Sequence, residues 1–319
     1  MTFFDVFNGD ADGICALHQL RLTEPREAEL VTGVKRDIAL LERVQAKRGD
    51  TVTVLDISLD RNRDDLVRLL DDGATVQYVD HHFAGMIPDH ANLSVHIDTR
   101  AEVCTSLLVN DDLQGAYLAW AVTAAFGDNL HASARSAALP LDLDHAQLDQ
   151  LCYLGELINY NGYGVTLDDL HMHPTDLYRA IQPYADPFAF MAETDAYRLL
   201  NAGFRSDMNE ARKLSPEIEE DAIALYIQPD TPWSRRASGV FANELARAAP
   251  DRAHALLTEL PDGGYRISVR APLNHKTGAD DLCKRFPTGG GRKAAAGIND
   301  LPADHLEAFV TAFRLQYRR

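Results

Sequence analysis

Three short β-rich runs in the first 82 residues each end on acids or imidazoles, and this coincidence constrains the fold more than any other feature. Phe3-Phe4-Asp5-Val6-Phe7 leads into Asn8-Gly9-Asp10-Ala11-Asp12-Gly13, and Thr51-Val52-Thr53-Val54-Leu55 leads into Asp56. The third run, Ala74-Thr75-Val76-Gln77-Tyr78-Val79, leads into Asp80-His81-His82. Helix-like stretches lie between them: one near 13–22 with Leu17, Leu20 and Leu22, one near 37–48 after a short strand near 29–32, and a charged one near 61–72. Such βαβ alternation predicts an α/β fold with a doubly wound, mainly parallel sheet. Ligands of open α/β sheets collect outside the carboxyl ends of the strands, so all three clusters are expected to meet there. Singly, each cluster has a plain structural reading: Asp12-Gly13 as a turn, Asp56 as a helix N-cap, His81-His82 as loop residues. Together they form an oxygen and nitrogen donor set without thiolate, suited to manganese or magnesium.

Composition narrows the class. A chain of 319 residues is comfortable as two domains. The four cysteines, Cys15, Cys104, Cys152 and Cys283, form no C-x-x-C pair, which argues against disulfides and structural zinc. No stretch approaches the roughly 18 apolar residues of a membrane span, and no charged leader precedes an apolar segment, so a cytoplasmic protein is expected. The formal charge is −17. Long nucleic acid binds mainly through phosphate neutralisation by Lys and Arg, and this balance disfavours it. The charge is uneven: residues 230–319 hold 14 Lys and Arg against 10 Asp and Glu, a net of +4, which leaves −21 on the remainder. That division suits a small phosphorylated substrate. A homodimer is compatible with the sequence but no interface can be read from it.

Further along, residues 114–126 read as an Ala-rich core helix, and a second apolar helix is expected near 146–158. Residues 183–228 read as helical connecting structure. A separate unit then begins with the strand 222–227, an amphipathic helix over 235–248, and a turn at Pro261-Asp262-Gly263-Gly264 into the strand Tyr265–Val269. The expected domains are 1–190, a connector over 191–220, and a smaller α/β domain over 221–319. In the last, Gly289-Gly290-Gly291 can turn successive N–H groups toward one point, forming an anion nest beside Arg292, Lys293 and Arg270. It is not a P-loop, because the Gly-Lys-Ser/Thr ending is absent.

These motifs resemble the DHH phosphoesterase family, which includes RecJ-type exonucleases, nanoRNases, cyclic-dinucleotide phosphodiesterases and manganese pyrophosphatases. Asn8–Gly13, Asp56 and Asp80-His81-His82 are similar to its first three motifs. Ile267-Ser268-Val269-Arg270 and Gly289–Gly297 are similar to a DHHA1 substrate-binding domain. The resemblance implies a metal-dependent hydrolase with one or two Mn²⁺, Mg²⁺ being the second choice. It gives Asp56 a bridging role, Asp10 to one metal, and Asp12 with His81 to the other. Asp80 would complete the site or orient His81, and His82 would face the substrate phosphate as the catalytic group. Asn8, Arg100, Thr105 and Ser106 are implied near substrate, as are Arg270, Gly289, Gly290, Gly291 and Arg292, with Arg292 gripping a terminal phosphate.

The chain departs from the family pattern at three places. Val6 stands where many members have His, Asn159 is the best match to a late Asp ligand, and Arg292 replaces a His. Val6 and Asn159 weaken the case for a second metal, with Glu156 and Asp195 as candidate compensators. His171-Met172-His173 precedes Pro174 and matches no carboxylate cluster, and His18 reads as a packed helix residue. The implied activity is hydrolysis of a phosphate ester in a small nucleotide or short oligonucleotide. Its rivals are a RecJ-like single-strand exonuclease, a degenerate nucleotide-binding protein and a pyrophosphatase.

Overall fold

The computed structural model describes residues 1–318, which divide into two compact units, Met1–Gly203 and Phe204 onward. The boundary runs through the helix Asp195–Ala211, inside the stretch that the sequence reading treats as a connector.

The first unit opens with β1 (Phe3–Phe7), α1 (Ala11–Thr23), β2 (Glu29–Val31), β3 (Thr51–Leu55), α2 (Leu59–Asp71), β4 (Thr75–Asp80) and β5 (Leu93–Ile97). All five strands pair in parallel, in the order β2-β1-β3-β4-β5. The expected α/β sheet is therefore present. From β1 the chain passes through α1 to one neighbour, β2, and β3 lies on the other side of β1. The order thus reverses between β1 and β3, where a crevice opens at the strands' carboxyl ends. Period-2 alternation sends Phe4 and Val6 into a core shared with Val52, Val54, Val76, Tyr78 and the α2 residues Leu59, Leu66 and Leu69. Asp5 turns the other way and is held by Arg21 of α1 through two bonds of 2.8 and 2.6 Å.

The helix expected near 37–48 does not form; only the 3₁₀ turn Leu41–Arg43 is present. Side chains of α2 take the backbone groups such a helix needs. Asn62 donates to Ile38 O at 2.7 Å and accepts from Leu41 N at 3.1 Å, while Arg68 donates to the carbonyls of Leu41 and Val44. Burial of Leu40, Leu41 and Val44 in the sheet core completes the exchange.

Seven helices finish this unit or cross its edge: α3 (Thr105–Asp112), α4 (Leu118–Gly127), α5 (His131–Ala137), α6 (His145–Asn161), α7 (Pro174–Ile181), α8 (Pro187–Glu193) and α9 (Asp195–Ala211). The Ala-rich helix starts at Leu118 because Gln114 and Gly115 adopt left-handed angles, φ 54° and 81°. His18 is packed as expected, edge-on to Trp120, its Nε2 2.8 Å from Tyr184 O. No helix among the described residues is long and apolar enough to cross a membrane.

The second unit holds β6 (Ile218–Glu219), β7 (Ile223–Gln228), α10 (Pro232–Ala248), β8 (Ala253–Glu259), β9 (Tyr265–Arg270), α11 (Ala279–Cys283), β10 (Gly289–Arg292), β11 (Ala295–Leu301) and α12 (Leu306–Gln316). Its sheet order is β10-β11-β9-β8-β7-β6, antiparallel except for β7 with β8.

Gly155 fixes how closely α4 and α6 approach. A Cβ there would lie 2.1 Å from Thr123 O and 2.8 Å from Gly127 N, so the helices cross with their backbones nearly touching. Gly155→Ala is expected to separate them and cost about 1–3 kcal/mol of stability, as overpacking does. A chemical-denaturation midpoint unchanged from wild type would contradict this.

Candidate metal centre

The centre lies where the sheet order reverses. Asp10 ends the β1 loop as the N-cap of α1, its Oδ1 accepting from Asp12 N at 3.0 Å and Gly13 N at 3.1 Å. Asp12 follows in the first turn, and its two oxygens accept from Thr105 N and Ser106 N at 2.7 Å each. Those N–H groups open α3, where the helix dipole favours a carboxylate. Ser106 Oγ donates to Asp12 O at 2.8 Å, and Thr105 Oγ1 donates to Asp56 Oδ1 at 3.3 Å. Asp56 itself sits just past β3 with φ 59°, a conformation that Asp and Asn tolerate better than most residues. The turn aims its carboxylate at the same point.

The third motif divides its labour. His81 Nδ1 donates to the Val103 carbonyl at 2.9 Å, so Nε2 is left as an acceptor. That nitrogen lies 3.4 Å from Asp56 Oδ1, 3.9 Å from Asp12 Oδ2 and 3.8 Å from Asp128 Oδ2. Asp80 pairs with His82 Nδ1 at 2.7 Å and not with His81. Residues two apart at the end of an extended strand share a side, and the Val103 carbonyl already orients His81. The other Asp80 oxygen, Oδ2, is buried without a partner.

Electrostatics shows what this arrangement lacks. Burial and then Asp12, Asp10, Asp80 and Asp128 raise the Asp56 carboxyl well above the usual range. Burial, Asp12 and Asp10 push Asp128 up to about 6 against the opposing pull of Lys35 and His81. Asp10 is raised by burial but lowered further by the Lys35 ammonium and hydrogen bonds, and ends below its ordinary value. The Asp80 hydrogen bond raises His82 despite burial. Acids crowded this closely need a cation among them. Two groups of donors, Asp12 with His81 and Asp128, and Asp56 with His81 and His82, each have ligand atoms within 4.8 Å of one another. Ligands about 2.1 Å from one octahedral ion lie about 3.0 Å apart when adjacent and about 4.2 Å apart when opposite. The oxygen and imidazole set therefore fits a hard or borderline divalent metal.

Two residues at this centre escape the sequence reading. Asp128 directly follows the apolar helix α4, so the expectation of an acid after an apolar helix could have found it. The reading takes Asn159, at the end of α6, for that place. Lys35 carries no local signal. Its Nζ lies 2.5 Å from Asp10 Oδ2, 2.8 Å from Asn159 Oδ1 and 3.5 Å from Asp128 Oδ1. Burial lowers its pKa, but Asp10 and Asp128 raise it more, so the ammonium is firmly charged.

Several expected substrate contacts sit elsewhere. Thr105 and Ser106 are fully buried and hold Asp12 and Asp56, so they position carboxylates and do not face substrate. Asn8 is buried and donates to Lys35 O at 3.3 Å. Arg100 binds Asp98 and lines a cavity with Val103, Leu107 and Asn110 that includes none of the clustered acids. Asp195 pairs with Arg198, and Glu156 accepts from Cys152, so neither joins the cluster. His171 stacks on Tyr160, and His173 caps α7. Val6 is core.

In the second unit, Gly289–Gly291 do not form a nest. They run as the edge strand β10 against β11, and a paired strand sends alternate N–H groups to opposite edges. Glycine is needed for packing instead: a Cβ on Gly289 would lie 1.9 Å from Cys283 O, and Gly291 adopts φ 136°. Arg292 pairs across to Ala295, and Ala295 to Arg270. Cross-strand partners share a face, so the two arginines flank a small alanine about two strand spacings, roughly 10 Å, apart. Arg270 is braced by Asn243 at 2.7 Å and Ser268 at 2.9 Å.

No protein-family model matches the chain, and no curated protein matches it either. Solved structures do. Exonuclease RecJ bound to manganese superposes with a TM-score of 0.64 at 16% identity, over 100% of this chain and 90% of that one. A DHH domain from a protein described as belonging to a family of ribosomal proteins gives 0.65 at 14%, over 99% and 86%. The pGpG-specific phosphodiesterase PggH from Vibrio cholerae gives 0.59 at 13%, over 99% of both chains. The chain has the fold of the DHH/DHHA1 proteins.

Asp128→Asn is expected to weaken Mn²⁺ binding at least about tenfold, since even an outer hydrogen-bonding partner of a metal site is worth that much. Calorimetric titration showing unchanged affinity would remove Asp128 from the centre.

Proposed function

We propose that the chain is a metal-dependent phosphoesterase that hydrolyses a small nucleotide or short oligonucleotide. The observation that carries this is the convergence of Asp12, Asp56, Asp128 and His81 Nε2 at the sheet's reversal point, with the His82–Asp80 pair beside it. Asp12, Asp56, Asp128 and His81 would hold a divalent ion, with Mn²⁺ preferred and Mg²⁺ second. Such an ion supplies activated water at neutral pH and neutralises charge on phosphoryl oxygens. The manganese-bound RecJ structure on the same fold supports that choice.

The protein's own groups do the rest. Thr105 and Ser106 clamp the Asp12 carboxylate so that it cannot swing away. His82 is half-exposed, and its Nδ1 proton is committed to Asp80. Nε2 therefore faces outward as the group that gives a proton to the leaving oxygen or steadies a phosphoryl oxygen. The hydrogen bond to Asp80 raises the His82 pKa, which shifts it toward the donating form. We assign hydrolysis to the first unit, and in the second unit the exposed Arg292 offers a planar fork suited to a phosphate.

A short substrate suits the acidic first unit better than a long strand, and PggH, on the same fold, acts on pGpG. A RecJ-like exonuclease is the nearest alternative. A binding protein without turnover is the other, favoured by Val6 and by Asn159, which accepts a hydrogen bond from Lys35.

The test is manganese-dependent turnover of a panel: a 5′-phosphorylated dinucleotide, cyclic dinucleotides, 3′-phosphoadenosine 5′-phosphate, pyrophosphate and a longer single strand. The expected result is nucleoside monophosphate released from the dinucleotide, with a fall of more than about 100-fold in Asp56→Asn. Asn is the chosen replacement because it tolerates the left-handed backbone there. Metal binding without turnover of any panel member would move the assignment to the binding protein.

A further inference from the structure

The feature of this centre that the family resemblance does not contain is Lys35. We infer that its ammonium is a built-in cation that takes the place of a second metal ion, so that the centre binds one divalent cation per chain. The inference rests on the metal-centre reading above and deepens it.

The geometry is that of a satisfied cation and not of a lysine waiting for substrate. An ammonium has three donors and no acceptor. Lys35 Nζ has three oxygens around it, from the N-cap of α1, the end of α6 and the residue after α4: Asp10 Oδ2 at 2.5 Å, Asn159 Oδ1 at 2.8 Å and Asp128 Oδ1 at 3.5 Å. The acceptors are themselves oriented. Asn159 Nδ2 donates to Tyr163 Oη at 2.8 Å, which turns Oδ1 toward Lys35. Asp10 is fixed through Oδ1 by two backbone N–H groups. The lysine backbone is pinned on both sides, its N–H donating to Gly162 O at 2.8 Å and its carbonyl accepting from Asn8 Nδ2 at 3.3 Å.

One departure noted in the sequence falls into place around it: Asn159, on the lysine side of the centre, gives Lys35 a neutral oxygen where a carboxylate would serve a metal. On the other side the donors are complete: Asp128 turns its second oxygen, Oδ2, toward His81 Nε2, which also faces Asp12 and Asp56. Asp128 thus joins the lysine to the metal group. A lysine cannot carry an activated water, so any nucleophile must come from the single remaining ion.

The test is the stoichiometry and spectroscopy of Mn²⁺ on the full chain, by calorimetric titration and frozen-solution electron paramagnetic resonance. The wild-type protein is expected to take up one tight Mn²⁺ with the spectrum of an isolated ion. The double variant Lys35→Ala with Asn159→Asp is expected to take up two, with the spectrum of a spin-coupled pair, since paired ions in such sites lie about 3.5–4 Å apart. Two tight ions or a coupled pair in the wild type would overturn the inference and leave the metal-centre reading intact. A folded double variant that still binds one would also count against it. No tight Mn²⁺ in the wild type would overturn the metal-centre reading itself, and this inference with it. Should the double variant fail to fold, the wild-type stoichiometry and spectrum decide alone.

Discussion

Repulsion among carboxylates brought together at one end of a parallel sheet is the constraint around which the first unit is organised. Asp10, Asp12, Asp56 and Asp80 arrive from strand ends or the turn after them, and Asp128 joins from the end of α4. A fold that buries so many like charges must supply positive potential. It does so in three ways: the N-terminus of α3 against Asp12, the Lys35 ammonium against Asp10 and Asp128, and the His82 imidazole against Asp80. What these leave without a full positive charge is the group around His81 Nε2, where three carboxylate oxygens lie 3.4–3.9 Å away.

The scaffold serves this balance through backbone geometry more than through side-chain volume. The left-handed turn at Asp56 aims a carboxylate inward at the cost of backbone strain. The close crossing of α4 and α6 at Gly155 sets where Asp128, one residue past α4, must lie. The Val103 carbonyl selects which imidazole nitrogen of His81 is free, and Asp80 does the same for His82. Each is a local arrangement with a consequence for charge at the centre.

Much of this could be read from the sequence because strand patterning is local. Strands β1, β3 and β4 are short runs rich in β-branched and aromatic residues, and the acids at or after their ends necessarily sit at the strands' carboxyl ends. The stretch 37–48 misleads because its apolar spacing suits a helix, while Asn62 and Arg68, distant in sequence, claim its backbone. Asp128 and Asn159 both end apolar helices, and only the packing of α4 on α6 shows that the acid meets His81 and the amide meets the lysine. Lys35 lies in a loop with no pattern at all, and its role exists only in three dimensions. The three glycines mislead in the opposite sense: their freedom suggests a nest, whereas they lie in an edge strand in which Gly289 and Gly291 closely approach Cys283 and Ala296.

The most direct test of the central claim is anomalous diffraction at the manganese edge from crystals grown with Mn²⁺. The expected result is a peak bounded by Asp12, Asp56, Asp128 and His81 Nε2, with Asp80 still holding His82. A protein soaked in manganese that shows no peak there, or peaks only on its acidic surface, would contradict the account.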